Sequence, residues 1–264
     1  MIKILFLGDI CGRPGREMVA KVLPNLKRQK GIDFVIANAE NAAGGRFITR
    51  KILKELESYG VDFFTSGDHV WFEKSFLNDL NSRDLPIIRP ANFPDDILYG
   101  KGYEVIDLTS KGKLVVINLL GWVYMRELVL DPLRYADRIL AEIKEKVEGI
   151  IVDFHCEVTS EKAILGHYLD GKVSAVIGTH THVATADAKI LPKKTGFVTD
   201  VGMCGPSDSS LWVQKEIAIH NYKYPYKKAF KIEKSGPRVF NSIILELESN
   251  FCKNIERYDR TMES

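Results

Sequence analysis

Val173-Ser174-Ala175-Val176-Ile177-Gly178-Thr179-His180-Thr181-His182 reads as a buried strand that runs straight into a loop carrying two histidines. Histidines one residue apart cannot share a helical face. At the end of an extended segment they can flank one small object from two sides. Neutral imidazole is the commonest protein ligand for transition metals, which makes a metal site the first hypothesis. On this motif alone, a pair of polar loop histidines accounts for the residues equally well.

Working outward, the same pattern recurs four times upstream. The apolar run Ile2–Leu7 delivers Gly8-Asp9, and Asp33–Ala37 delivers Asn38-Ala39-Glu40-Asn41. Val61–Thr65 ends in Ser66-Gly67-Asp68-His69, and Gly149–Phe154 ends in His155-Cys156-Glu157. Between these runs lie amphipathic helical patterns. One carries Met18, Val19, Val22, Leu23 and Leu26, with Pro24 expected to kink it. A second carries Ile52, Leu53 and Leu56 behind a Thr49 cap; a third runs from Leu133 to Val147; a fourth carries Ile164, Leu165, Tyr168 and Leu169 behind a Ser160 cap. A short helix is expected over Ser75–Leu80, a short strand over Leu85–Ile88, and a hairpin from Tyr103–Leu108 and Leu114–Leu119. Beyond the double histidine the chain reads as strands: Ala188–Leu191, Gly196–Val201, Glu216–His220, Ala229–Glu233 and Val239–Leu247. Alternating strands and helices followed by strands predict an α/β fold of two packed sheets with helices outside.

Composition narrows the function classes. The 264 residues suffice for one large α/β domain, expected over 1–264, with a polar tail expected to fray after about residue 248. A formal charge of +2 gives no support to a broad nucleic-acid-binding surface. The four cysteines, at 11, 156, 204 and 252, show no CxxC spacing, and no apolar run is long enough for a membrane span or a signal segment. The expectation is a cytoplasmic protein without membrane contact. Self-association is left open, with an apolar hairpin near Leu114–Trp122 as its expected surface.

In α/β sheets the ligand crevice lies beyond the carboxyl ends of the strands, so polar residues ending five strands converge there. Four of the six histidines, His69, His155, His180 and His182, fall in these strand-end loops. Carboxylates, an amide oxygen and imidazoles together suit iron, manganese or zinc. They are too many for one ion, and two ions about 3.5–4 Å apart would use them all.

Six blocks occur in order: Gly8-Asp9, Asn38-Ala39-Glu40-Asn41, Gly67-Asp68-His69-Val70-Trp71, Phe154 to Lys162, Gly178 to His182, and Thr199-Asp200-Val201-Gly202-Met203. Together they resemble the YmdB-like branch of the calcineurin-like metallophosphoesterases, over residues 1 to roughly 247. The resemblance implies a four-layer α/β/β/α sandwich of two mixed sheets, and a di-metal phosphodiesterase acting on 2′,3′- or 3′,5′-cyclic nucleotides or short phosphodiesters through a hydroxide bridging the ions. Carried over by position, Asp9, Asn41 and His182 would hold one ion. His155, His180 and Asp68 would hold the other, with Glu40 bridging and His69 beside the leaving group. The ions would be iron, or alternatively manganese or zinc. No substrate-binding residue can be singled out.

This chain departs from the family twice. Asp68 stands where asparagine is usual, which adds negative charge and removes an amide donor. Cys11 stands where many relatives outside this branch place a histidine; a soft-metal ligand is one reading, and a small loop residue is the favoured one. Glu157 and Ser160 read as residues ordering the following helix, and Asp187 and Asp200 as partners for ligand histidines. Tyr222, Tyr224 and Tyr226 read either as a nucleotide platform or as a solvated strand edge. A regulatory module that senses a nucleotide, or contacts a partner, is the alternative to an enzyme. A di-metal amidohydrolase would use similar ligands without matching the six blocks.

Overall fold

Strand alternation sorts the side chains of Ile2–Leu7 onto two faces. Ile4 and Phe6 face one apolar cluster and Leu5 and Leu7 another. The computed structural model describes residues 1–94, 96–97 and 99–263. In chain order its first strands are β1 (Ile2–Leu7), β2 (Asp9–Ile10), β3 (Phe34–Asn38), β4 (Phe63–Thr65), β5 (Tyr103–Asp107), β6 (Lys113–Leu120), β7 (Gly149–His155) and β8 (Ala175–Thr179). There follow β9 (Lys189–Ile190), β10 (Gly196–Val198), β11 (Met203–Pro206), β12 (Arg238–Phe240), β13 (Ser242–Glu248), β14 (Phe251–Arg257) and β15 (Arg260–Met262). The helices are α1 (Gly12–Lys30), α2 (Arg50–Ser58), α3 (Pro132–Glu142), α4 (Thr159–Tyr168) and α5 (Lys215–Lys223).

Two mixed sheets, in the orders β14-β13-β1-β3-β4 and β5-β6-β7-β8-β10-β9, pack face to face. Ile4, Phe6 and Ile36 from the first meet Val116, Ile151 and Ile177 from the second. The outer face of the first sheet is covered by α1 and α2 through Met18, Leu23, Leu53 and Leu56. That of the second is covered by α3 and α4 through Ala136, Ile139 and Leu165. This is the α/β/β/α sandwich. Each fully buried Phe or Leu contributes about 1.5–3 kcal/mol, so this double core carries the stability. β1, β3 and β4 run parallel, as do β6, β7, β8 and β10, which brings their carboxyl ends to two neighbouring rims.

Several expectations fail, for local reasons. Glu216–His220 is helical: Ile217 and Ile219 alternate like a strand, but only Ile217 is buried and Ile219 faces solvent. Ala229–Glu233 and Leu85–Ile88 form single bridges, at Ile232 and Ile87, not strands. Val239–Leu247 is broken at Asn241, where the chain leaves a third sheet, of order β15-β12-β11-β2, and enters the first as β13. Ser160 does not cap α4, whose N-cap position is Val158 and carries no side-chain cap, and α3 ends at Glu142, short of Val147. The tail after residue 248 is paired rather than frayed, since β14 lies antiparallel to β13 and β15 to β12. In the stretch Leu114–Trp122, Leu114 to Leu120 is a central strand with both faces buried, and only Trp122 is exposed. No helix among the described residues is long and apolar enough to cross a membrane.

Candidate metal centre

The chain brings Asp9, Glu40, Asn41, Asp68, His69, His155, His180 and His182 into one neighbourhood at the strand ends. His155 Nε2 lies 3.1 Å from Glu40 Oε1, 3.3 Å from Asp68 Oδ1 and 3.0 Å from His180 Nδ1. One ligand atom from each of Glu40, Asp68, His155 and His180 falls within 4.8 Å of all the others. Beside this group, His182 Nε2 is 3.6 Å from Asp9 Oδ1. Gly67 makes the approach feasible, because a Cβ there would sit 2.3 Å from both Glu40 Oε2 and His155 Nε2.

The donor set fits a cation on two counts. Asp9 Oδ1, Asn41 Oδ1 and Asp68 Oδ1 are shut off from solvent without a hydrogen-bond partner, an expensive arrangement for oxygens that nothing is to occupy. The amide of Asn41 is already oriented, since its Nδ2 donates to Gly45 O at 2.9 Å and leaves Oδ1 free. Among the described residues, no lysine or arginine pairs with Asp9, Glu40 or Asp68; their partners within 4.0 Å are histidines.

Each of the three histidines has its far nitrogen engaged. His155 Nδ1 lies 2.9 Å from Thr179 Oγ1, which donates onward to Asp153 Oδ1 at 2.7 Å. His180 Nε2 meets Glu157 Oε2 at 3.1 Å, and His182 Nδ1 meets Leu211 O at 3.3 Å. Such partners fix the tautomer and aim the other nitrogen's lone pair inward. Glu157 therefore does more than order α4. Cys11 Sγ lies 3.7 Å from His182 Nδ1, whereas Asp9 Oδ1 is met by the other ring nitrogen, Nε2.

The electrostatics follow from burying three carboxylates together. Burial disfavours the Glu40 anion, but His155 and His69 outweigh it and hold its carboxyl well below the usual range. Burial likewise opposes a charged His155, yet Glu40, Asp68 and Asp9 raise it well above an ordinary histidine. His69 Nδ1 is 3.2 Å from Glu40 Oε1; against the cost of burial, Glu40 and then Asp68 raise its pKa. Burial pushes Asp153 up to about 6, partly offset by His155 and the two threonine hydroxyls.

The histidine loop itself is strained: His180 and His182 have φ of 97° and 64°, a region side chains other than glycine rarely occupy. A buried clamp holds it. Lys162 Nζ donates to Thr179 O and Asp200 Oδ2, both at 2.8 Å. Asp200 in turn accepts from Thr181 N at 3.0 Å, Thr181 Oγ1 at 2.8 Å and Gly202 N at 2.8 Å. Asp200 thus grips the residue between the histidines rather than either ring. Asp187 binds Thr185 and Thr199 and reaches no histidine. Tyr222 and Tyr224 lie on and just after α5, with Tyr224 stacked on Tyr226, so the strand-edge reading is wrong. Asn38, Asp153, Thr179 and Lys162 were not singled out from sequence; a charged residue inside an apolar strand, as at Asp153, was the available signal.

Fold and rim together define a metal-dependent phosphoric ester hydrolase of the metallophosphoesterase class. The chain belongs to the YmdB-like protein family, whose model matches residues 5–258. It is 41% identical over 256 residues to the 2′,3′-cyclic-nucleotide 2′-phosphodiesterase of Bacillus subtilis, covering 97% of this chain and 95% of that one. A crystal structure of a hypothetical protein from Thermus thermophilus superposes with a TM-score of 0.91 at 35% identity, covering 99% of each chain. That of a novel phosphatase from Mycoplasma pneumoniae gives 0.92 at 32% identity, covering 99% of this chain and 94% of that one.

Proposed function

We propose that this chain hydrolyses cyclic nucleotide phosphodiesters, with the 2′,3′-cyclic nucleotides as first candidates and the 3′,5′-cyclic ones as a second class. The observation that supports it is the convergence of unpartnered buried oxygens with inward-aimed imidazole nitrogens on one rim. The similarity to a 2′,3′-cyclic-nucleotide 2′-phosphodiesterase favours that substrate. Asp9, Asn41 and His182 are assigned to one ion, His155, His180 and Asp68 to the other, and Glu40 to both. The donor mixture suits iron, then manganese or zinc. Bound ions would polarise the phosphate oxygens and make water a competent nucleophile near neutral pH.

The protein's own groups then have distinct tasks. The three carboxylates set the charge that retains the ions, while Thr179, Glu157 and Leu211 keep each imidazole in register. His69, 23% exposed at its side chain and held beside Glu40, is assigned the proton that the departing ribose oxygen needs, a role its raised pKa supports. Such a transfer is worth about 10²–10⁴-fold in rate. The deciding experiment pairs metal analysis with a panel of cyclic nucleotides and bis-p-nitrophenyl phosphate, on wild type and His69→Ala. The expected result is unchanged metal content and a kcat lower by at least about 10²-fold in the variant. Equal loss of metal and rate would make His69 a ligand, and a metal-loaded wild type that binds nucleotides without turnover would point to a regulatory module.

A further inference from the structure

Next to the metal rim lies a cavity of 230 Å³, whose lining includes Asp68, His69 and His180 of the rim together with Arg46, Phe72, Tyr124 and Glu127. Two of these groups lack partners. No hydrogen bond or ion pair among the described residues reaches the Glu127 carboxylate, and since its Oε2 is sealed from solvent, Oε1 is the oxygen left to face the cavity. The half-buried Arg46 guanidinium rests on the Phe230 ring, 4.6 Å from its centroid, and none of the ion pairs or hydrogen bonds among the described residues involves it. An unpaired carboxylate beside a cavity calls for an O–H or N–H donor, and an unpaired guanidinium for an anion. The catalytic centre presents both at once if its substrate is a phosphate ester of a polyol.

We propose that this cavity is the ribose subsite of the centre, with Arg46 holding a phosphate oxygen and Glu127 accepting a free ribose hydroxyl. The inference rests on the phosphodiesterase reading above. Size supports it: 230 Å³ is below the roughly 300 Å³ at which pockets enclose a whole drug-sized ligand. The sugar and cyclic phosphate enter, and the base stays outside against Phe72 and Tyr124, which are 53% and 86% exposed. Phe72 packs edge-on against His69, so a base on that ring leaves the ribose next to the proton donor. Stacking on an open ring is indifferent to base identity. Recognition therefore falls on the sugar, and adenine, guanine, cytosine and uracil substrates are turned over at similar rates.

The test is the ratio of kcat/KM for 2′,3′-cyclic AMP to that for bis-p-nitrophenyl phosphate, which has no ribose. Glu127→Met removes the acceptor and an unpaired buried oxygen together, so folding is not threatened. The expected result is a ratio about 10- to 100-fold lower, carried by KM. With wild type, 2′,3′-cyclic AMP lacking its 5′-hydroxyl shows the same loss, and Glu127→Met treats the two nucleotides alike. Arg46→Met raises KM for both phosphodiesters about equally, roughly tenfold. An unchanged ratio in Glu127→Met, wild type indifferent to the 5′-hydroxyl, or loss of metal from the variant each overturns the assignment. A wild type that hydrolyses neither phosphodiester overturns the underlying reading along with it.

Discussion

Replacing Lys162 with methionine keeps the length of the side chain and removes one charge from a pair in which both side chains are 1% exposed. The ammonium holds Thr179 O and Asp200 Oδ2, and Asp200 accepts three more bonds from Thr181 and Gly202. Breaking a buried pair by deleting one partner costs about 3–5 kcal/mol, because the remaining carboxylate is left uncompensated. The clamp also restrains two residues at positive φ, each costing about 1–3 kcal/mol, so part of that strain is released as the loop relaxes. At roughly 2–4 °C per kcal/mol for a domain of this size, Lys162→Met lowers Tm by about 6–20 °C. A relaxed His180-Thr181-His182 loop also weakens metal binding about 10- to 100-fold, as loss of supporting contacts does elsewhere. Thermal unfolding with and without added manganese, together with metal titration, reads both effects. Lys162→Met combined with Asp200→Asn neutralises both partners and recovers stability, with a coupling of at least about 1.5 kcal/mol. Additive losses, or a Tm within 2 °C of wild type, would show that the clamp is not what holds the loop.

Asp68→Asn introduces the amide that the family resemblance leads one to expect there; it lowers metal affinity and lowers KM for an anionic phosphodiester, both read by metal titration and steady-state kinetics. Lower turnover at unchanged metal content would contradict this account of Asp68. Stripping the metals destabilises the fold by RT ln(1 + [L]/Kd), about 2.7 kcal/mol at a hundredfold excess of ion, or roughly 5–10 °C in Tm. A Tm indifferent to chelation at the same pH would deny the ions a place in the native state. The four cysteines are buried, and burial raises each thiol, Cys252 to about 11. The reactive thiolate forms only as pH approaches that value, so at pH 8 about one Cys252 in a thousand is ionised. Iodoacetamide therefore labels the native protein slowly at pH 8, and all four thiols react quickly once denaturant is added.

Much of this site was legible because it is built from strand ends. An apolar run followed at once by Asp9, Glu40, Asp68, His155 or His180 carries its own geometry, since parallel strands bring their carboxyl ends together whatever lies between them in sequence. The groups that sequence passes over, as Lys162, or assigns another task, as Asp200 and Glu157, act across elements. Lys162 lies on α4 and Asp200 after β10, and nothing in their spacing says that one ion pair will span them. Glu157 looked like a residue at the start of a helix because its neighbours do cap and start one; its bond to His180 exists only because β7 and β8 are paired. The misread strand at Glu216–His220 has the same origin. Ile217 and Ile219 alternate, and only the packing of α5 beside Trp212 and Val213 decides that one is buried and the other is not. Local pattern therefore encodes where candidate ligands are delivered, and tertiary pairing encodes what holds them still. That division predicts that chains keeping Asp9, Glu40, Asp68, His155 and His180 at their strand ends but lacking the buried Lys162–Asp200 pair will fold alike and bind metal less tightly.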